Sequence, residues 1–66
     1  ARREGAVYEV RRIHAHRQVA QGGERDYLVQ WGGYRDKRSY TWEPRSGLER
    51  GAGEVLLAYE RLSGLA

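Results

Sequence analysis

The sequence predicts a small α+β domain, a curled three-stranded antiparallel sheet closed at one end by a single C-terminal helix. Two β-type runs on either side of a Gly-Gly pair predict the sheet. One is Tyr27-Leu28-Val29-Gln30-Trp31 before Gly32-Gly33-Tyr34, the other Tyr40-Thr41-Trp42-Glu43 before Pro44. An apolar stripe of Val55, Tyr59 and Leu62 at i, i+4 and i+7, widened by Leu56, predicts the helix over residues 54–62.

The first strand is expected from Val7 to about Arg17, through valine, tyrosine and isoleucine. Val10 and Ile13 are three apart, so they share a face only if the strand contains a bulge. Gln21-Gly22-Gly23-Glu24 reads as a hairpin turn. In the second strand Tyr27, Val29 and Trp31 lie on one face, Leu28 and Gln30 on the other. The third strand is expected to stop at Pro44, which has no amide to donate to a ladder. Ser46-Gly47 reads as a turn, and Gly64 as the stop of the helix. Tyr27, Trp42 and Tyr59 are expected inside, with Trp42 beneath the helix, because so short a chain needs its large side chains in the core.

Composition narrows the function classes. The 66 residues make one domain, at a size where a single core stabilises only marginally. There is no cysteine, which removes disulfides and thiolate zinc sites, and no apolar stretch approaches the roughly 20 residues that span a bilayer. The lack of methionine suggests a piece of a longer chain. Residues 1–25 hold six arginines (2, 3, 11, 12, 17 and 25) and three glutamates (4, 9 and 24), whereas bases and acids balance in the remainder. The excess positive charge therefore sits on the first strand and its hairpin, where it favours polyanions.

Catalytic and metal chemistry finds no support. His14 and His16 are two apart on a strand and would share a face as two ligands might, but no third histidine or cysteine joins them. The three serines have no base-and-orienter set around them, and no glycine pattern opens a phosphate-binding helix. The chain reads as neither an enzyme nor a cofactor or metal protein.

With Tyr8 in the run Val7-Tyr8-Glu9-Val10-Arg11-Arg12-Ile13, and with Trp31-Gly32-Gly33-Tyr34 and Thr41-Trp42-Glu43-Pro44, the chain resembles the chromodomain family, in particular the heterochromatin-protein and Polycomb-type methyl-lysine readers. The resemblance covers residues 7–62, leaving an N-terminal arm of residues 1–6 and a C-terminal end of residues 63–66. It implies that Tyr8, Trp31 and Tyr34 form an aromatic cage for a methylated lysine. A trimethylammonium group cannot donate a hydrogen bond yet keeps its charge, and ring faces can replace water around it.

The resemblance also implies that the ligand adds as a strand between residues 7–10 and residues 45–49. The peptide-binding residues would be Val7, Glu9, Val10, Glu43, Gly47, Leu48 and Glu49. Val10 would line a pocket for a small residue before the methyl-lysine, while Glu43 and Glu49 would pair with ligand donors. Gly47 stands where many members carry a peptide-binding asparagine. The loop Arg35-Asp36-Lys37-Arg38-Ser39-Tyr40 is one residue longer than usual and puts Lys37 or Arg38 near a customary acid, which favours trimethyl-lysine.

The implied function is a monomeric nuclear chromatin module that binds a methylated histone tail, foremost the histone H3 tail at an Ala-Arg-Lys-Ser type sequence. Two alternatives stand beside it. One is a nucleic-acid-binding chromodomain in which Arg11, Arg12, Arg17 and Arg25 contact DNA or RNA phosphates. The other is a chromodomain adapted to a non-histone protein.

Overall fold

In the computed structural model, which describes residues 9–18 and 23–65, three strands precede two helices. They are β1 (Val10–Gln18), β2 (Arg25–Trp31), β3 (Thr41–Pro44), α1 (Arg45–Gly51) and α2 (Gly53–Leu62). A 3₁₀ turn at Lys37–Ser39 lies between β2 and β3. The sheet is antiparallel in the order β1-β2-β3. Of the expected first hairpin turn, Gln21 and Gly22 lie outside the described residues.

β1 carries the irregularity that its sequence requires. Val10 pairs with Trp31 but Arg12 pairs with Gln30, so Arg11 is an extra residue on β1. A second shift between Ile13 and Ala15 makes His14 extra. The first bulge lets Ile13 sit in the core while Val10 packs against the same cluster. The second separates the two histidines, which therefore do not share a face. His14 Nε2 donates to Gln30 Oε1 at 2.8 Å, and its ring stacks on Tyr40. His16 Nδ1 is hydrogen-bonded to Tyr59 Oη at 2.8 Å on the helix side of the sheet.

The core is Ile13, Tyr27, Val29, Leu48 and Leu56, with Val10, Trp31, Val55, Tyr59 and Leu65 against it. Tyr27 and Tyr59 are thus core rings, meeting edge-on at 5.8 Å between centroids. Trp42 is not beneath the helix. It is 37% exposed, because β3 alternates. Glu43 pairs with the buried Tyr27 and Thr41 with the buried Val29, so Trp42, opposite Leu28, points away from the helices. Pro44 also belongs to β3, opposite Asp26.

The expected turn at Ser46-Gly47 is instead the first turn of α1. Glu24 accepts the Ser46 amide at 2.9 Å and faces its hydroxyl at 3.2 Å, placing a carboxylate on the amides of a helix start. Arg45 and Glu49 form an i,i+4 ion pair, and Leu48 enters the core. α1 ends at Ala52, whose non-helical backbone (φ −139°, ψ 33°) starts α2 in a new direction.

On α2 the buried pair is Leu56 and Glu60, flanked by Val55 and Tyr59, while Leu62 is 90% exposed and leaves the expected stripe. Gly64 ends the helix as anticipated. Its φ of 74° lets Leu65 N–H reach Glu60 C=O at 2.8 Å and Gly64 N–H reach Arg61 C=O at 3.3 Å.

Glu60 is tolerated inside because donors surround it. Arg45 grips the carboxylate with Nε and one terminal nitrogen at 2.7 and 2.9 Å. The Tyr27 hydroxyl donates to it, and Arg25 stands at 3.6 Å. Arg45's bonds hold the Glu60 carboxyl at about 2, and the pair keeps Arg45 more firmly protonated. Among the described residues no buried side-chain polar atom lacks a partner.

Candidate functional site

The site is built around the end of β2. Trp31 is the last residue of that strand, and the chain reverses at once through Gly32-Gly33. Gly33 adopts φ 87°, which a side chain would resist, and Tyr34 N–H closes the turn on Trp31 C=O at 3.1 Å. Gly32 N–H donates to Glu9 C=O at 2.7 Å, and a Cβ on Gly32 would lie 3.4 Å from that same oxygen. Backbone contact thus fixes the entry of β1 against the turn that separates the two rings.

The rings differ in support. Tyr34 is 46% exposed. Trp31 is partly buried against the core, and its indole Nε1–H donates to Thr41 Oγ1 at 2.8 Å. The Thr41 hydroxyl in turn donates to Glu43 Oε2 at 2.8 Å. A three-residue chain across β2 and β3 therefore fixes the tilt of the Trp31 ring. Thr41 was not among the site residues read from the sequence. The signal was present, since strand parity puts Thr41 and Glu43 on the face of Val29 and Trp31.

Thr41→Val, which keeps the shape but loses both hydrogen bonds, should weaken ligand binding at Trp31 severalfold. Thr41→Ser should restore it. Equal affinities for Val and Ser variants in a calorimetric titration would show that the indole needs no anchor.

The remaining expected residues divide into three groups. Val7 and Tyr8 lie outside the described residues. Val10 faces Trp31 and packs on the core, Glu9 is exposed, and Glu43 is held by Thr41. Residues 45–49, expected as one wall of the peptide site, are helical, and the Ser46 amide is taken by Glu24. Leu48 is a correction. At 2% exposure its side chain packs in the core and cannot contact a peptide, whereas Gly47 and Glu49 are exposed.

The loop after Tyr34 offers no free carboxylate. Asp36 accepts Arg38 N–H at 2.9 Å and takes the Arg38 guanidinium at 2.8 Å, which holds its carboxyl below the ordinary range. That bonding caps the 3₁₀ turn.

The arginines also separate. Arg25 is committed to Tyr27 and Glu60, and Arg17 to Asp26 and the Trp42 ring. Arg11 and Arg12 are exposed and, with Arg35 and Gln30, line a shallow cleft. Among the described residues no group of three potential ligands could hold a metal ion.

The chain gives no significant match to a curated protein or to a solved structure. Its residues 8–62 match the chromo (chromatin organisation modifier) domain. The sheet, the helix packed on it and this match over most of the chain place it in the chromodomain family, non-catalytic, chromatin-associated reader modules that generally bind methylated histone tails or nucleic acids.

Proposed function

We propose that this domain reads a trimethylated lysine on a histone tail, foremost that of histone H3, with Tyr8, Trp31 and Tyr34 as the walls of the cage. The observation that carries the reading is the Trp31 ring, anchored through Thr41 to Glu43 and set one tight turn from the exposed ring of Tyr34. The bond satisfies the indole N–H, as a partly buried tryptophan requires, and it also orients the ring. A ring that must present its face to a ligand gains from having its tilt fixed beforehand.

Methylation-state preference follows from the loop. Mono- and dimethylated lysine keep an N–H that requires an acceptor. The loop's only carboxylate, Asp36, is taken up by Arg38. Trimethyl-lysine has no N–H to satisfy and loses nothing there.

Peptide capture relies on the β1 side, through Val7, Glu9 and Val10, with Gly47 and Glu49 on the helical opposite side. Three cation–π contacts and a short added strand, less the cost of ordering the tail, give a dissociation constant of roughly micromolar size. Titration with tail peptides carrying zero to three methyl groups tests the reading. Affinity should rise with methylation and peak at trimethyl-lysine, and equal binding of unmodified and trimethylated peptide would refute it.

A further inference from the structure

Given Tyr34 as a cage wall, the reading on which this rests, we infer that the domain favours a ligand with an anionic side chain, foremost a phosphorylated serine or threonine, within two residues of its trimethyl-lysine. Arg11, Gln30, Gly33, Tyr34 and Arg35 line one shallow cleft, so Tyr34 belongs both to the proposed cage and to a basic pocket beside it. Arg12 extends that pocket along β1 with Arg11, Arg35 and Gln30. Among the described residues no carboxylate lines either part. Among the same residues Arg11, Arg12 and Arg35 make no ion pair, whereas Arg17, Arg25, Arg38 and Arg45 each stand against an acid. Asp36, the first acid along the chain after Tyr34, is spent on Arg38.

The bulge in β1 collects the charge. Strand alternation would turn Arg12 toward the core with Val10, but Arg11 is an extra residue, and both arginines stay exposed. Gln30, only 8% exposed, donates to the Tyr34 carbonyl at 3.2 Å and pairs with Arg12 across the sheet. It thus holds the chain at Tyr34 and Arg35 against the arginines of β1. Arg11 also directly follows residues 7–10, along which the ligand strand is proposed to lie. Neighbouring Cα atoms are about 3.8 Å apart, so a residue one or two steps from a lysine held at Tyr34 comes within reach of Arg11 and Arg35. Charge then selects that residue. A basic side chain would meet unpaired guanidinium groups, and a neutral one would leave them to water. A phosphoserine brings roughly two negative charges and three acceptor oxygens, which guanidinium forks bind bidentately. A glutamate carries less charge and gains less.

Calorimetric titration tests this with one tail peptide in several forms. Its lysine is unmodified or trimethylated, and the trimethylated form carries no phosphate or a phosphoserine one or two positions before or after the lysine. A further peptide replaces the most favourable phosphoserine with glutamate. At low salt at least one phosphoserine position should tighten binding roughly 3- to 10-fold over the unphosphorylated trimethyl peptide, the gain of two exposed ion pairs. Glutamate should give a smaller gain, and high salt should shrink both. Arg11→Ala with Arg35→Ala should bind the phosphorylated and unphosphorylated trimethyl peptides equally, while Arg11→Lys with Arg35→Lys should keep part of the difference. Circular dichroism checks that both double variants fold. If trimethyl-lysine still binds better than unmodified lysine but phosphoserine at all four positions leaves affinity unchanged or lowers it, the proposal falls and the cage stands. A full phosphoserine gain in the double alanine variant would also overturn it, and a glutamate gain equal to that of phosphoserine would overturn the preference for phosphate. Equal binding of unmodified and trimethylated peptides would remove the cage, and this proposal with it.

Discussion

Replacing Glu60 with alanine should remove about 3–5 kcal/mol of stability, the range expected when one partner of a buried ion pair is lost. At roughly 0.05–0.15 kcal/mol per residue, a 66-residue chain holds about 3–10 kcal/mol in all. The variant should therefore be largely unfolded, or have a much lower urea midpoint. The reason is convergence. Glu60 is 3% exposed and is the common acceptor for Arg45, for the buried Tyr27 hydroxyl and, at longer range, for Arg25. Without it the Tyr27 hydroxyl loses its acceptor, Arg25 loses its counter-charge and Arg45 keeps only the more exposed Glu49. Arg45→Ala should also destabilise, since it strands the carboxylate instead.

The same group sets an acid limit. Its carboxyl is lowered from 4.5 to about 2 in the folded state, so folding favours the ionised form. That contribution is complete above about pH 4.5 and is lost as pH falls through about 2. Urea midpoints should be level near neutrality and drop across this window. Glu60→Gln should show a shallower drop, and an identical acid profile in the two proteins would mean that other carboxylates govern the limit.

Residue spacing made some of this architecture legible and hid the rest for physical reasons. The bulge in β1 followed from Val10 and Ile13 both being apolar and three apart, since a strand cannot bury both otherwise. The Gly64 stop and the Gly32-Gly33 turn were legible because only backbone freedom is at issue there. Trp42 was misplaced because its size was weighed above strand parity. Once Tyr27 and Val29 are in the core, pairing sends Thr41 and Glu43 to their face and Trp42 to the other. Glu60 drew no reading from the sequence, because only the approach of Arg45, fifteen positions away, makes its burial tolerable. α1 was hidden behind a Ser-Gly turn signal, because its stability comes from Leu48 burial and from Glu24 on a distant connector. At the site, Trp31 and Tyr34 were legible as aromatics around a turn. The Thr41–Glu43 anchor depends on cross-strand register, which spacing along the chain does not carry.

Trp31→Ala should weaken binding of a trimethyl-lysine peptide by about thirtyfold or more, and Trp31→Phe by less. A desolvated cation–π contact contributes about 2 kcal/mol or more, and tryptophan is the strongest of the ring donors. Losing it from a roughly micromolar complex raises the dissociation constant about thirtyfold, to tens of micromolar. The alanine variant also gives up packing, because Trp31 rests on the core beside Val10, so its thermal midpoint should fall while its circular dichroism keeps the native shape at room temperature. The phenylalanine variant separates the two roles. It keeps a ring face and most of the packing but cannot donate to Thr41, so its affinity should fall between the other two proteins with little loss of stability. Tyr34→Ala should weaken binding with almost no stability cost, since that ring is 46% exposed. If both Trp31 variants bind trimethylated and unmodified peptides as the parent does, the ring at the end of β2 is a packing element only. The cage must then be given up even though the fold stands.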